Sequence, residues 1–113
     1  MRVLAAADKF KGTASAASIC AAIGHACWDL GIDCVEMPMA DGGEGTLDVL
    51  GGPNRTSVVT GPLGTAVEAE WRLHRGVAVI EMARASGLTL AGGPENNNPL
   101  DATTQGTGEL IDK

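Results

Sequence analysis

Aromatic side chains are scarce in this sequence, which holds one phenylalanine, two tryptophans and no tyrosine. Proteins that bind single-stranded nucleic acids stack bases on aromatic rings, so that function is not expected here. Positive charge is also scarce, because eight basic residues against fourteen acidic ones give a net charge of −6. This balance argues against binding to nucleic acids or anionic membranes, and we expect neither as a partner.

Long apolar runs are absent, and the apolar start at 1–7 is too short for a signal-peptide core. The three cysteines are an odd number without a Cys-x-x-Cys pair. Cys20 and Cys27 would share one face of a helix, so we interpret them as small buried apolar residues rather than metal ligands. A reducing, cytoplasmic setting is the expectation that follows.

Standard nucleotide-binding loops are missing as well. No Gly-Lys pair occurs, which excludes a P-loop, and Gly106-Thr107-Gly108 lacks the third glycine of a dinucleotide fingerprint. The two histidines lie far apart in the sequence and lack the spacing of metal ligands. Phosphate binding, if present, must therefore use another kind of loop.

The front of the chain predicts a strand, a helix and a second strand. Residues 2–7 are apolar, and Thr13 or Ser15 offers a cap for a helix that Gly31 closes. Residues 33–37 form the second strand, so the unit is βαβ with parallel strands. Ligands of open parallel sheets bind outside the carboxyl ends of the strands, where the loops at 8–11 and 41–45 would face one crevice.

The pattern changes after Pro53. Residues 55–60 are rich in β-branched side chains, residues 66–73 alternate, and 77–81 complete an antiparallel meander. We expect a helical turn at 82–85, loops at 92–99 and 103–108, and the start of a helix at Glu109. A domain boundary near residue 60 is the interpretation that this shift favours.

The stretch Ala40-Asp41-Gly42-Gly43-Glu44-Gly45-Thr46 places two carboxylates among three glycines directly after an apolar segment. Glycines let the backbone approach a ligand closely. Such a loop suits a cation or a polar small molecule, and it suits bare phosphate poorly unless a metal or a lysine intervenes. The alternative is a solvated turn with incidental acids.

This stretch resembles the signature of bacterial-type glycerate kinases, which phosphorylate D-glycerate with ATP. Three further stretches fit that family in the same order: Asp-Lys-Phe-Lys-Gly-Thr at 8–13, Thr-Gly-Pro-Leu-Gly at 60–64, and Asn-Pro-Leu at 98–100 with Thr-Thr-Gln-Gly-Thr-Gly-Glu-Leu-Ile at 103–111. The resemblance covers nearly the whole chain, but it covers only the N-terminal portion of the family's members, which are much longer chains. One loop departs from the family pattern, since Ala7 and Lys9 stand where Pro and Ser are usual.

The resemblance implies an α/β fold that starts as a Rossmann-like (flavodoxin-like) parallel βαβ unit. Residues 1–59 would be the first segment of that domain. Residues 60–113 would begin a second, inserted α/β domain with antiparallel strands. Because the last predicted helix has about one turn, we interpret the chain as a truncated piece, the alternative being a frayed natural C-terminus.

The resemblance also implies a reaction, in which the γ-phosphoryl of ATP moves with Mg²⁺ to a hydroxyl of D-glycerate. The product implied is 2-phosphoglycerate, although the residues do not fix the hydroxyl, and they leave the oligomeric state open. We expect the fragment alone to be inactive. The rival hypothesis is a non-catalytic α/β remnant that binds a small molecule or a protein.

Phosphoryl transfer needs neutralised charge, a positioned alcohol and often a carboxylate that takes its proton. Asp41 is the first candidate for that carboxylate or for a Mg²⁺ ligand, and Lys11 for the cation on phosphate or on the glycerate carboxylate. Asp8 would orient Lys11 or bind metal. The candidates for substrate binding are Lys9, Gly42, Gly43, Glu44, Thr104, Gly106 and Thr107. The alternative for each is a structural role in a turn, a helix cap or a solvated surface.

Overall fold

The computed structural model describes residues 1–113 and holds five strands and five helices. In chain order these are β1 (Arg2–Ala5), α1 (Ala16–Asp29), β2 (Asp33–Glu36), α2 (Thr46–Val49), β3 (Arg55–Thr60), β4 (Ala66–His74), β5 (Val77–Val79), α3 (Ala83–Ser86), α4 (Gly93–Asn96) and α5 (Gln105–Ile111). The contacts between residues divide the chain into two compact units, Met1–Val49 and Leu50–Lys113. Each unit is described by itself.

The first unit is the predicted βαβ motif. Strands β1 and β2 pair in parallel, in a register that runs from Arg2 opposite Asp33 to Ala5 opposite Glu36. Beyond the strands, the N–H of Met39 still donates to the carbonyl of Ala7 over 3.0 Å. The segments after β1 and β2 therefore leave the sheet side by side, and the loops that follow them start at the same edge of the sheet.

Helix α1 begins and ends where its capping residues predict. The Ser15 hydroxyl accepts a hydrogen bond from the N–H of Ser18 at 3.1 Å, which satisfies one of the free amides of the first turn. Gly31 follows the helix at φ +66°, a conformation that glycine adopts without strain. Cys20 and Cys27 are buried on the inner face of α1, which confirms their predicted packing role.

The second unit contains the predicted antiparallel meander, with strand order β3-β4-β5. Its core combines β3, β4, α3 and α5 around five buried side chains: Val59, Ala69, Trp71, Ala85 and Leu110. The indole N–H of Trp71 donates to the Ser57 hydroxyl over 3.1 Å, so the buried ring keeps a polar partner. The parallel unit followed by this meander confirms a mixed α/β fold.

One helix lies where a loop was expected, and the helix predicted to start at Glu109 begins four residues earlier. Helix α4 occupies one turn of the predicted loop at 92–99, and Pro94 fits there because its fixed φ suits a first turn. Helix α5 begins at Gln105, within the predicted loop at 103–108. Two glycines weaken its helix propensity, but tertiary packing of the buried Leu110 outweighs this cost.

None of the five helices combines the length and the apolar character that a bilayer span requires. The contact boundary between the two units falls at residues 49 and 50. The expected domain segments 1–59 and 60–113 refer to the longer members of the resembled family, and that division stays a prediction.

Candidate functional site

A cleft of about 460 Å³ opens at the carboxyl ends of the two parallel strands, within the first unit. Its walls are the loop after β1, the start of α1, the segment after β2 and the helix α2. The lining residues are Asp8, Lys9, Ser15, Ala16, Ala17, Pro38, Met39, Ala40, Glu44, Gly45, Asp48 and Val49. Small-molecule sites have volumes of roughly 300–1,000 Å³, so the cleft has room for a ligand the size of a small organic acid.

The glycine-rich loop beside this cleft is held in a defined turn. The Asp41 carboxylate accepts a hydrogen bond from the N–H of Gly43 at 2.9 Å. Gly42 and Gly45 have φ values of +92° and +91°, which side-chain-bearing residues rarely adopt. The Thr46 hydroxyl donates to the carbonyl of Gly43 over 2.7 Å at the start of α2. The glycines are therefore required by the backbone path of the loop.

Lys9 joins the loop after β1 to this glycine-rich loop. Its ammonium donates a hydrogen bond to the main-chain carbonyl of Glu44. A Cβ atom built on Gly43 would lie 3.6 Å from the Lys9 ammonium and 3.0 Å from an Asp41 carboxylate oxygen. The Lys9 ammonium and the Asp41 carboxylate thus both lie close to Gly43, where an added Cβ would crowd the carboxylate oxygen and make ordinary contact with the ammonium.

The surroundings of Asp41 favour its ionised form. The hydrogen bond from the Gly43 N–H lowers the pKa of the Asp41 carboxyl, and the nearby Lys9 ammonium lowers that pKa further. Asp41 is exposed and is not among the residues that line the cleft, although its neighbour Ala40 is. At neutral pH, the loop therefore presents a carboxylate beside the cleft.

The other two charged candidates after β1 are placed differently. The Asp8 carboxylate accepts a hydrogen bond from the N–H of Lys9 at 2.7 Å, and Asp8 lines the cleft. Lys11 is exposed in a turn and does not line the cleft. Of the two lysines in this loop, Lys9 is the one that the structure brings to the cleft wall.

The remaining candidates lie in the second unit and make contacts within it. Gly106 is buried against β3, where an added Cβ would lie 2.0 Å from the carbonyl oxygen of Thr60. The Thr107 hydroxyl shares a hydrogen bond of 2.9 Å with Ser86, while Thr104 is exposed just before α5. Their role in substrate binding stays a prediction, and the contacts observed for Gly106 and Thr107 connect structural elements.

Glu109 is a residue whose role the sequence analysis missed. Its carboxylate accepts hydrogen bonds of 2.8 Å from the Thr60 N–H, the Thr60 hydroxyl and the Gln105 amide. The Thr60 hydrogen bonds, from the N–H first, lower the pKa of the Glu109 carboxyl. Gln105 and Glu109 lie one helical turn apart, and this spacing could have indicated a hydrogen bond between the two side chains.

The possible metal ligands of this chain decide how it could hold the predicted magnesium ion. No three His, Cys, Asp or Glu side chains converge anywhere in residues 1–113. Mg²⁺ is commonly held by one or two carboxylates together with substrate phosphates and water. Asp41 offers one such carboxylate, with the Lys9 ammonium close by. These residues fit an ion that arrives on nucleotide phosphates better than one enclosed by side chains.

A sequence model described as the glycerate kinase family matches residues 3–113. Among curated relatives, the chain is 41% identical to Glycerate 2-kinase of Escherichia coli K12 and 44% identical to Glycerate kinase of Bacillus subtilis 168. Each of these alignments covers 98% of this chain and 31% of the relative. The chain therefore spans less than a third of the length of these relatives.

The fold also has a match among solved structures. A crystal structure of a candidate glycerate kinase 2 from Salmonella typhimurium LT2 is similar to this chain with a TM-score of 0.71 and 37% sequence identity. The match covers 99% of this chain and 32% of that one.

Proposed function

The chain belongs to the glycerate kinase family, and from this premise we propose that the protein containing it transfers the γ-phosphoryl of ATP to D-glycerate. The names of the relatives support the substrate, and the word kinase supports ATP as the phosphoryl donor. By analogy with the relative in E. coli, the product is 2-phosphoglycerate.

The observation that carries the proposal is the cleft at the carboxyl ends of β1 and β2. It brings a lysine, the first turn of a helix of 14 residues and several carboxylates around a space for a small molecule. Amides of a helix first turn and a lysine attract anionic groups, while carboxylates accept hydrogen bonds from hydroxyl groups. A short acid that carries hydroxyl groups fits this mixture of donors and acceptors.

In the proposed reaction, a hydroxyl oxygen of glycerate attacks the γ-phosphorus, and the bond from that phosphorus to the leaving oxygen of ADP breaks. Asp41 accepts the proton that the hydroxyl loses. Its lowered pKa makes it ionised but a weak base, which suits a loose transition state, since the alcohol loses its proton late. Lys11 would meet the phosphates, and Asp8 would orient the loop after β1.

A magnesium ion, when bound, would neutralise charge on the transferred phosphoryl group. Asp41 is the residue of this chain that would contribute to holding it. The chain's own part in the chemistry is then to bind the acid, to position its hydroxyl and to exclude water from the cleft.

The test is a coupled assay of ADP formation by the intact protein, with D-glycerate and ATP varied separately. We expect ADP formation that depends on D-glycerate and stops when EDTA is added. Phosphorus NMR of the product distinguishes the two hydroxyl positions. An intact, folded protein that forms no ADP with D-glycerate would contradict the proposal and favour a non-catalytic binding module.

The isolated 113-residue chain should lack this activity. It spans 31% of the relatives' length and carries neither a P-loop nor a dinucleotide fingerprint. The same coupled assay applied to the purified chain checks this expectation. Glycerate-dependent ADP production that EDTA abolishes would show that the cleft alone suffices.

A further inference from the structure

Lys9 is the one basic side chain on the wall of the cleft, and it is half-buried there. Its ammonium carries three donors, of which one reaches the carbonyl of Glu44. Two donors remain on a group that borders a space for a ligand. This position differs from that of Lys11, which is exposed and does not line the cleft.

The start of α1 adds to the positive character of the same wall. Residues 15–17 line the cleft, and the Ser15 side chain caps the N–H of Ser18 rather than those of Ala16 and Ala17. The first-turn amides of a helix carry a partial positive charge. Lys9 and this helix start therefore border the same space.

The remaining charged residues of the lining are acidic: Asp8, Glu44 and Asp48. A ligand with two or three negative charges would be repelled by these carboxylates. A neutral polyol would offer the Lys9 ammonium no charged group in addition to the nearby Asp41 carboxylate. A hydroxycarboxylate with one negative charge and several O–H donors matches both halves of the lining, since the hydroxyls can donate to the carboxylates.

We propose that Lys9 sets the specificity of this cleft by receiving the carboxylate of a short hydroxycarboxylate monoanion, while its bond to Glu44 holds the glycine-rich loop against the ligand. This role rests on the proposed function, because the hydroxyl of the same ligand is the group that would be phosphorylated. It assigns the acid group of the substrate to Lys9 and leaves Lys11 to the phosphates.

The test compares four forms of the intact protein: the wild type, Lys9→Met, Lys9→Gln and the control Arg2→Met. Lys9→Met removes the charge at similar length, and Lys9→Gln keeps an N–H donor for the Glu44 carbonyl without the charge. Arg2→Met removes a cation from β1 at the end of the strand opposite the cleft. The KM for D-glycerate and the KM for ATP are measured for each form.

A hydrogen bond that involves a charged group is typically worth roughly ten- to a hundredfold in affinity. Both Lys9 variants should raise the KM for D-glycerate by about that factor and leave the KM for ATP within twofold. Arg2→Met should change neither constant. Recovery of the D-glycerate KM by Lys9→Gln would overturn the proposal, because the loop bond alone would then explain the effect. An unchanged D-glycerate KM in Lys9→Met would overturn it as well.

Calorimetric titration with D-glycerate separates this proposal from the proposed function. If the wild type forms no ADP, the proposed function fails, and the binding constants of the four forms still decide the role of Lys9. Weaker binding in both Lys9 variants supports the assignment, and equal binding in all forms, or no binding to the wild type, rejects it.

Discussion

Replacing Gly106 with alanine should destabilise the second unit, although alanine is the better helix former. The new Cβ would lie 2.0 Å from the carbonyl oxygen of Thr60 and 3.1 Å from a methyl carbon of Val59. Real Cβ atoms essentially never lie within 3.0 Å of such a neighbour, so the contact between α5 and β3 must shift. The obstacle is backbone, and the N–H of the same Thr60 is fixed by Glu109.

The expected magnitude follows from two opposing effects. Overpacking a tight contact typically costs 1–3 kcal/mol, and the short separation from main chain places this site at about 3 kcal/mol. Alanine regains about 1 kcal/mol in helix propensity. The net loss should therefore be about 2 kcal/mol in the free energy of opening α5 from β3, which raises the population of the open form roughly thirtyfold.

Gly108 provides a matched control in the same helix. A Cβ built on Gly108 meets no atom within 4 Å. Gly108→Ala should stabilise α5 by about 0.5–1 kcal/mol through helix propensity alone. Amide hydrogen exchange of β3 in the intact protein, followed by mass spectrometry, measures both variants at the contact in question.

The two variants should shift exchange in opposite directions. Equal protection of β3 in Gly106→Ala and the wild type would refute the close approach of the helix to the Thr60 carbonyl. A variant with normal protection but a raised KM for D-glycerate would instead support the substrate contact that the sequence predicts for Gly106.

Three further predictions concern charge and thiol groups. Asp41→Asn keeps an oxygen that can accept the hydrogen bond from the Gly43 N–H but loses the charge, so kcat should fall roughly a hundredfold or more with an unchanged melting temperature. Glu44→Gln should lower kcat less. Near-normal turnover in Asp41→Asn would mean that the loop is only a structural turn. The pKa of Glu109 is lowered in the folded protein. Its hydrogen bonds should therefore stabilise the second unit at pH values above the ordinary carboxyl pKa, and this stabilisation should be lost as the pH falls through the lowered pKa. A pH series of thermal unfolding should show this acid dependence in the wild type and a weaker one in Glu109→Gln. The three cysteines are free and should react slowly with a thiol reagent. Half-buried Cys34 should react first, although partial burial raises its pKa. Fast labelling of two or more cysteines in native buffer would contradict their packing.

The βαβ unit could be predicted because each of its signals is local. The apolar run of β1, the Ser15 cap and the Gly31 stop all lie within a few residues of the structure that they determine. The position of the cleft followed from the same signals, because parallel strands leave the sheet at one edge. The start of α5 at Gln105 could not be predicted in this way, since the stability of this helix depends on burial of Leu110 against residues far away in the sequence.

The candidate site was predictable in its location and less so in its individual side chains. The glycine-rich loop and Asp8 lie at or beside the cleft, as the strand order implies. The choice between Lys9 and Lys11 could not be made from sequence, because two lysines that lie two residues apart in an irregular loop follow no helix or strand periodicity that would show which of them faces the cleft. The structure places Lys9 against the glycine-rich loop through a hydrogen bond to main chain, a contact that carries no sequence signature.

The glycines of the two motifs show why a shared pattern does not imply a shared role. Gly42 and Gly45 are needed for backbone conformations with positive φ, so the requirement lies in the loop itself. Gly106 has helical backbone and is needed because the Thr60 carbonyl lies where a side chain would be. The first requirement shapes a loop beside a cleft, and the second joins a helix to a strand. The sequence shows only that glycine stands at a position. The fold shows whether a backbone angle or a neighbouring atom excludes a side chain there.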